Sequence, residues 1–131
     1  MLVIDASVLA TSLVGNDVVG PRVRARLRGE RLLAPELIDL EVISMLRGRV
    51  LGGKLDYVHA SEAVQKLAIH PLLRASHQPL LSRCWELRHN VSPYDAAYVA
   101  LAEVFNSTLL TSDARLAAAP GLRCQVELIT G

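Results

Sequence analysis

Two short apolar runs in this chain stop against an acid. Leu2-Val3-Ile4 ends on Asp5, and Leu109-Leu110 is followed closely by Asp113. Runs of this length, apolar without alternation, suit strands covered on both faces. Each acid then opens a helix-forming segment, Ala6-Ser7-Val8-Leu9 after the first and Ala114-Arg115-Leu116 after the second. A strand that ends on a carboxylate and turns straight into a helix favours a parallel α/β arrangement, because parallel neighbours need such crossovers.

The rest of the chain repeats the alternation. The first helix carries Val8, Leu9, Leu13 and Val14 and stops near Gly15-Asn16; a second, Val18 to Arg28, ends at Gly29. Leu32-Leu33-Ala34 reads as a strand closed by Pro35, and Glu36 to Arg49 as a helix that Gly52-Gly53 terminates. Asp56 is placed to cap a helix running to about Ala68. The stretch from His70-Pro71 to Pro79 reads as a loop, and a packing helix with Leu80, Leu81, Cys84, Trp85 and Leu87 follows. Ser92-Pro93 opens another helix, Thr108 to Thr111 is a strand, Ala114 to Ala118 a short helix, and Gln125 to Ile129 a last strand. Strands separated by helices, without hairpin signals, predict an α/β fold with a central parallel sheet of about four to five short strands.

One domain spanning residues 1–131 is expected at this length. Aromatics are only 4% against 51% hydrophobic residues, so the core is built from Leu, Val, Ile and Ala. Cys84 and Cys124 do not make a disulfide framework and are read as free thiols. The chain lacks a basic, apolar leader pattern and any membrane-length run, which predicts a soluble, cytoplasmic protein. Net charge is +1, but setting four of the 13 acidic residues aside leaves nine against 14 basic ones. Such a surface either serves a polyanionic partner or is simply a mixed solvated one.

The four set aside are Asp5, Glu41, Asp95 and Asp113. In a parallel α/β sheet, ligands bind beyond the carboxyl ends of the strands, where Asp5 and Asp113 stand. At 100° per residue, Glu41 shares its helical face with Leu37, Ile38, Ser44, Met45 and Gly48, so it points inward, while Glu36, Asp39 and Arg47 fall on the far side. Asp95 shares a stripe with Tyr98, Val99, Ala102 and Asn106. Desolvated carboxylates need partners, and no lysine or histidine is spaced to pair with each. A shared divalent cation is the economical solution, and oxygen-only ligation selects Mg²⁺ or Mn²⁺ over zinc. A simpler explanation stands beside this one for three of them: Asp5 and Asp113 each precede a helix and can serve as its N-cap, and Ser92-Pro93-Tyr94-Asp95 has the form of a capping box. Glu41 has no such alternative. His59, His70, His77 and His89 show no ligand spacing and are read as surface or packing residues. Neither a phosphate-binding glycine loop nor a nucleophile elbow is present.

Taken in order, Val3-Ile4-Asp5-Ala6-Ser7, Leu37-Ile38-Asp39-Leu40-Glu41-Val42, Ser92-Pro93-Tyr94-Asp95-Ala96-Ala97-Tyr98 and Leu110-Thr111-Ser112-Asp113-Ala114-Arg115-Leu116 resemble the motifs of the PIN-domain family. The resemblance is closest to its VapC-type toxins and covers essentially the whole length. It implies a three-layer α/β/α sandwich and a ribonuclease whose Asp5, Glu41, Asp95 and Asp113 hold Mg²⁺ or Mn²⁺. It also implies cleavage of RNA to a 3′-hydroxyl and a 5′-phosphate by metal-activated water. Thr111 matches a small hydroxyl residue that supports the family's site, and Ser7 occupies a comparable polar position. Some relatives place a fifth acid after the fourth; here Ala114-Arg115-Leu116 has none, and Arg115 either meets substrate phosphate or is an ordinary surface arginine. A homodimer and an inhibiting cognate antitoxin are the partners that the resemblance implies.

Two other readings compete. A non-catalytic PIN-like module that binds RNA or protein commonly lacks one or more acids, whereas this chain keeps all four. A phosphoacceptor receiver domain wants an acid pair after its first strand and a lysine after a later one; Asp5 stands alone, and no lysine follows residue 66.

Overall fold

Alternate residues of a strand point to opposite faces of its sheet, yet Leu2, Val3 and Ile4 are all buried, as are Leu109 and Leu110. Both faces of the sheet are therefore covered. The computed structural model describes residues 1–15 and 17–130. Its strands are β1 (Leu2–Ile4), β2 (Leu32–Pro35), β3 (Leu73–Ala75), β4 (Thr108–Thr111) and β5 (Val126–Leu128). Its helices are α1 (Ala6–Val14), α2 (Val19–Leu27), α3 (Ile38–Leu51), α4 (Tyr57–Ala68), α5 (Leu81–Glu86), α6 (Pro93–Val104) and α7 (Ala114–Ala117). The sheet is parallel throughout, in the order β3-β2-β1-β4-β5. Helix α1 packs on α2, α3 and α4 in one layer, and α6 lies over β1, β2 and β4 with α5 beside it.

The expected α/β/α sandwich is thus present, with one strand more than the chain displays as an apolar run. Residues 70–79, read as loop, contain β3 and a single 3-10 turn at Gln78–Leu80. Strand β3 has only three residues and lies at the sheet edge, where a charged side chain is tolerated. Its central Arg74 donates to Asp39 and to the carbonyls of Leu67, His70 and Leu72, so its polarity is satisfied locally. Helix α3 starts at Ile38, two residues after Glu36, and ends at Gly52, with Gly53 at a φ of +71° that suits glycine. Gly15 caps α1, while the Asn16 half of the expected stop lies outside the described residues. Helix α5 buries none of its side chains, and Trp85 is exposed, with the Arg88 guanidinium 4.8 Å from its ring centroid. No described helix is long and apolar enough to cross a membrane.

Candidate functional site

Strands β1 and β4 are direct neighbours, with Ile4 level with Leu110, and the Asp5 amide continues the pairing by donating to the Leu110 carbonyl at 3.2 Å. Sheet order reverses here, since the chain runs outward from β1 to β2 and β3 and returns to the other side of β1 with β4. Asp5 and Asp113 leave these two strands side by side at the switch point. Glu41 enters from the first turn of α3 and Asp95 from the first turn of α6. All four acids, with Ser7, Ser44, Met45 and Tyr98, line one cleft of about 300 Å³.

Each carboxylate is held differently. Asp5 caps α1, accepting the Val8 amide at 3.0 Å, and also takes hydrogen bonds from Ser7 Oγ at 2.6 Å and from the Thr111 hydroxyl. Asp113 caps α7 through the amides of Arg115 and Leu116. Glu41 accepts the Tyr98 hydroxyl at 2.6 Å. For Asp95 only half of the expected capping box forms: Ser92 Oγ accepts the Asp95 amide at 3.2 Å, and among the described residues no reciprocal bond runs from the Ser92 amide to the Asp95 carboxylate. Capping and convergence are therefore both real for Asp5 and Asp113.

Glu41 does not point into the core. The buried stripe of α3 is Ile38, Val42 and Leu46, while Ser44, Met45 and Gly48 are exposed. The face that Glu41 shares with Ser44 and Met45 forms a wall of the cleft, and Glu41 is half-buried on it.

Electrostatically the site is uncompensated. Asp39, Glu30, Glu86, Glu103, Glu127 and Asp56 each pair with a basic group, and Asp17, Glu36 and Glu62 are exposed. Among the described residues, the acids that are withdrawn from solvent yet lack an ion-pair partner are Asp5, Glu41, Asp95 and Asp113. Burial pushes the Glu41 carboxyl up, partly offset by the Tyr98 hydrogen bond, and the charges of Asp95 and Asp5 raise it further. Burial also raises Asp95, with Asp113 and Asp5 adding to the shift while Ser92 and Arg115 oppose it. No three His, Cys, Asp or Glu side chains among the described residues are drawn close enough to cage an ion as they stand. The donor chemistry nonetheless fits a hard divalent cation: oxygen ligands only, excess negative charge, and no basic side chain paired into the set.

Thr111 and Ser7 both donate a hydroxyl to Asp5. Fully buried Thr111 donates to Asp5 and accepts the Asp113 amide at 3.0 Å, so it spaces the two strand-end acids. Ser7 also receives the Ser112 hydroxyl at 2.7 Å. Arg115 is exposed, and its charge is felt by Asp95. Tyr98 was legible only as part of the Asp95 stripe; an aromatic with a polar tip inside an otherwise apolar helix face is the signal that it needs a partner. Ser112 gave no signal of its own. His77 accepts the Leu37 amide and His70 the Leu72 amide, both packing roles, and the two cysteines are free and half-buried.

A parallel α/β protein with an acidic, oxygen-donor cleft at the switch point of its sheet is the class that fold and site define. The chain belongs to the PIN-domain family, whose model matches residues 2–122. It is 41% identical over 128 residues to ribonuclease VapC1 of Mycobacterium tuberculosis, covering 97% of this chain and 96% of the relative. Ribonuclease VapC12 of the same organism is 36% identical over 129 residues, covering 98% and 99%. Among solved structures, the chain resembles M. tuberculosis VapC20, described as a sarcin-ricin loop cleaving toxin, with a TM-score of 0.70 and 16% identity over 95% of this chain and 99% of that one. PAE2754 from Pyrobaculum aerophilum is similar at a TM-score of 0.69 and 21% identity, over 95% and 81%. These two likenesses concern the fold.

Proposed function

We propose that the protein is a divalent-metal-dependent endoribonuclease of the toxin–antitoxin type, with Asp5, Glu41, Asp95 and Asp113 as its metal-binding set. The observation that carries this reading is the isolation of these four carboxylates: they converge on one cleft without an ion-pair partner, in a chain whose relatives are named ribonucleases. A bound Mg²⁺ or Mn²⁺ supplies Lewis acidity, which acidifies water and draws charge from a phosphodiester. The protein's share is positioning. Thr111 and Ser7 fix both Asp5 oxygens, Tyr98 fixes one Glu41 oxygen, and the strand-end geometry sets Asp113 beside Asp5. In this reading Arg115, which is exposed, meets a substrate phosphate. RNA is the substrate class, and a cognate antitoxin and a second copy of the chain are the expected partners. The rival reading, a non-catalytic PIN-like module, gains nothing from a site that retains four acids.

The test is to incubate the purified protein with total cellular RNA in Mg²⁺, in Mn²⁺ and in chelator, and to map new ends. Cleavage is expected only with metal, and Asp95→Asn should reduce it at least 100-fold, in line with the loss of a group that stabilises developing charge. Cleavage in chelator, or undiminished cleavage by Asp95→Asn, would sink the assignment.

A further inference from the structure

A cavity of about 580 Å³ neighbours the acidic cleft. Thr11, Ser112, Arg49 and Lys54 are on its wall. Two helices carry both hollows. On α1, Ser7 lines the cleft and Thr11 the cavity; on α3, Met45 lines the cleft and Arg49 the cavity. A four-residue step is about 6 Å along a helix axis, so the two hollows follow one another along the same groove. The hydrogen bond from Ser112 to Ser7 is the ridge between them. The ridge is polar and presents hydroxyls, which a sugar-phosphate backbone can contact.

The charge changes sign across that ridge. Arg49 and Lys54 are exposed, and neither is in an ion pair among the described residues. The Lys54 amide donates to the Arg49 carbonyl at 2.8 Å, which keeps the two residues at one end of α3. Asp17 is the acid on this wall, and its Oδ1 is engaged by the Val19 and Gly20 amides at 3.1 and 3.4 Å. An acidic cleft followed by a cationic cavity suits a polyanion that is cut in the first and gripped in the second. The cavity has the size of a small-ligand site.

We infer that this cavity is a second RNA subsite: an unpaired strand leaves the acidic cleft over the Ser7–Ser112 ridge, and a phosphate flanking the scissile one is held by Arg49 and Lys54. The inference rests on the ribonuclease reading for the identity of the strand.

The test is binding of a short fluorescein-labelled single-stranded RNA to the full chain in chelator, followed by anisotropy over a series of salt concentrations. Arg49→Ala/Lys54→Ala should weaken binding about tenfold and flatten the dependence of log Kd on log salt by about one to two, the loss expected for one or two phosphate contacts. Arg31→Ala, just before β2 at the amino end of the sheet and away from the carboxyl ends that carry the cleft, should change neither. An unchanged affinity and slope in the double variant overturn the subsite, even where the Asp95→Asn experiment upholds the nuclease. A lower melting temperature with an unchanged slope also overturns it, because the pair would then only stabilise the carboxyl end of α3. Competition by an acidic peptide for wild type, with RNA affinity unaltered in the double variant, assigns the cavity to a protein partner and overturns it too. Loss of RNA binding in the double variant supports the subsite even if wild-type protein cuts nothing.

Discussion

Thr111 and Asp5, the two buried polar residues of the described chain, are hydrogen-bonded to each other across the β1–β4 pair. The same hydroxyl accepts the Asp113 amide, so one side chain serves both strand-end acids. Thr111→Val keeps the shape but leaves Asp5 short of a donor and the Asp113 amide short of an acceptor. The expected cost is about 2 kcal/mol, as for other buried polar groups left without a partner. Cleavage should fall as well, and Thr111→Ser, which retains the hydroxyl, should recover most of both. Urea unfolding and initial cleavage rates on the three proteins check this; a fully active Thr111→Val removes Thr111 from the site.

Tyr98 ties α6 to α3 through Glu41. The phenol is buried, and burial with the adjacent Glu41 carboxylate raises its ionisation far above the ordinary range, so it acts as a donor at any working pH. Tyr98→Phe removes that donor without opening a cavity. Stability should fall by only about 1 kcal/mol, the net worth of an ordinary hydrogen bond. Glu41 loses its fixed rotamer, and Mg²⁺ affinity measured by calorimetry should weaken several-fold. An unaltered Mg²⁺ affinity would show that Glu41 needs no positioning.

The acidic cleft makes the metal-free protein sensitive to pH in an unusual direction. Glu41 and Asp95 both titrate higher when folded than when unfolded, so the native state holds more protons across that interval. Stability from these groups therefore falls as pH rises from about 4 through their folded values. Glu103 and Glu127 act in the opposite sense: burial works to raise Glu103, but Arg83 and the Arg123 amide lower it overall, while Arg26 lowers Glu127. Their contribution is lost as pH falls. Comparison with Glu41→Gln separates the two effects. In chelator, the variant should melt above wild type at neutral pH, and the gap should close on acidification. Mg²⁺ at 100 times its Kd should stabilise wild type by about 2.7 kcal/mol and the variant by less. A variant that melts below wild type in chelator at neutral pH rules out a net penalty for the Glu41 charge.

Much of this was readable beforehand because short apolar strands, helix caps and acids obey local rules. Asp5 and Asp113 stand at strand ends where buried backbone must turn, and Asp56 and Ser92 cap the helices for which their side chains are suited. Strand β3 was hidden because its pairing depends on β2, and its Arg74 is satisfied by Asp39, 35 positions away. Glu41 faces the cleft and not the core for a related reason. Helical angles identify which residues share a face, but the packing of α1 and α4 on α3 decides whether that face meets core or cleft. The Ser112 to Ser7 contact joins residues 105 positions apart, and no local pattern encodes it.

Arg83 provides a prediction remote from the chemistry. Its guanidinium reaches Glu103 at 2.7 and 3.1 Å, Glu86 at 3.3 Å and the Gly121 carbonyl at 2.9 Å, joining α5, α6 and the segment before β5. The Arg83 and Glu103 side chains are only 17% and 12% exposed, so solvent cannot replace a lost partner. Arg83→Ala leaves the Glu103 charge with only the Arg123 amide and should destabilise the protein by about 2 to 3 kcal/mol, as when a largely buried pair loses one member. Arg83→Lys should recover only part of this, because an ammonium cannot make the forked contact. Glu103→Gln should cost less than Arg83→Ala, since Arg83 keeps Glu86 and the Gly121 carbonyl. Asp95 and Glu103 lie about 12 Å apart along α6, so the cleavage rate per folded molecule should be unchanged in all three. Denaturant melts paired with rates measured well below the transition check both halves, and a rate that drops in proportion to stability would tie this network to the cleft.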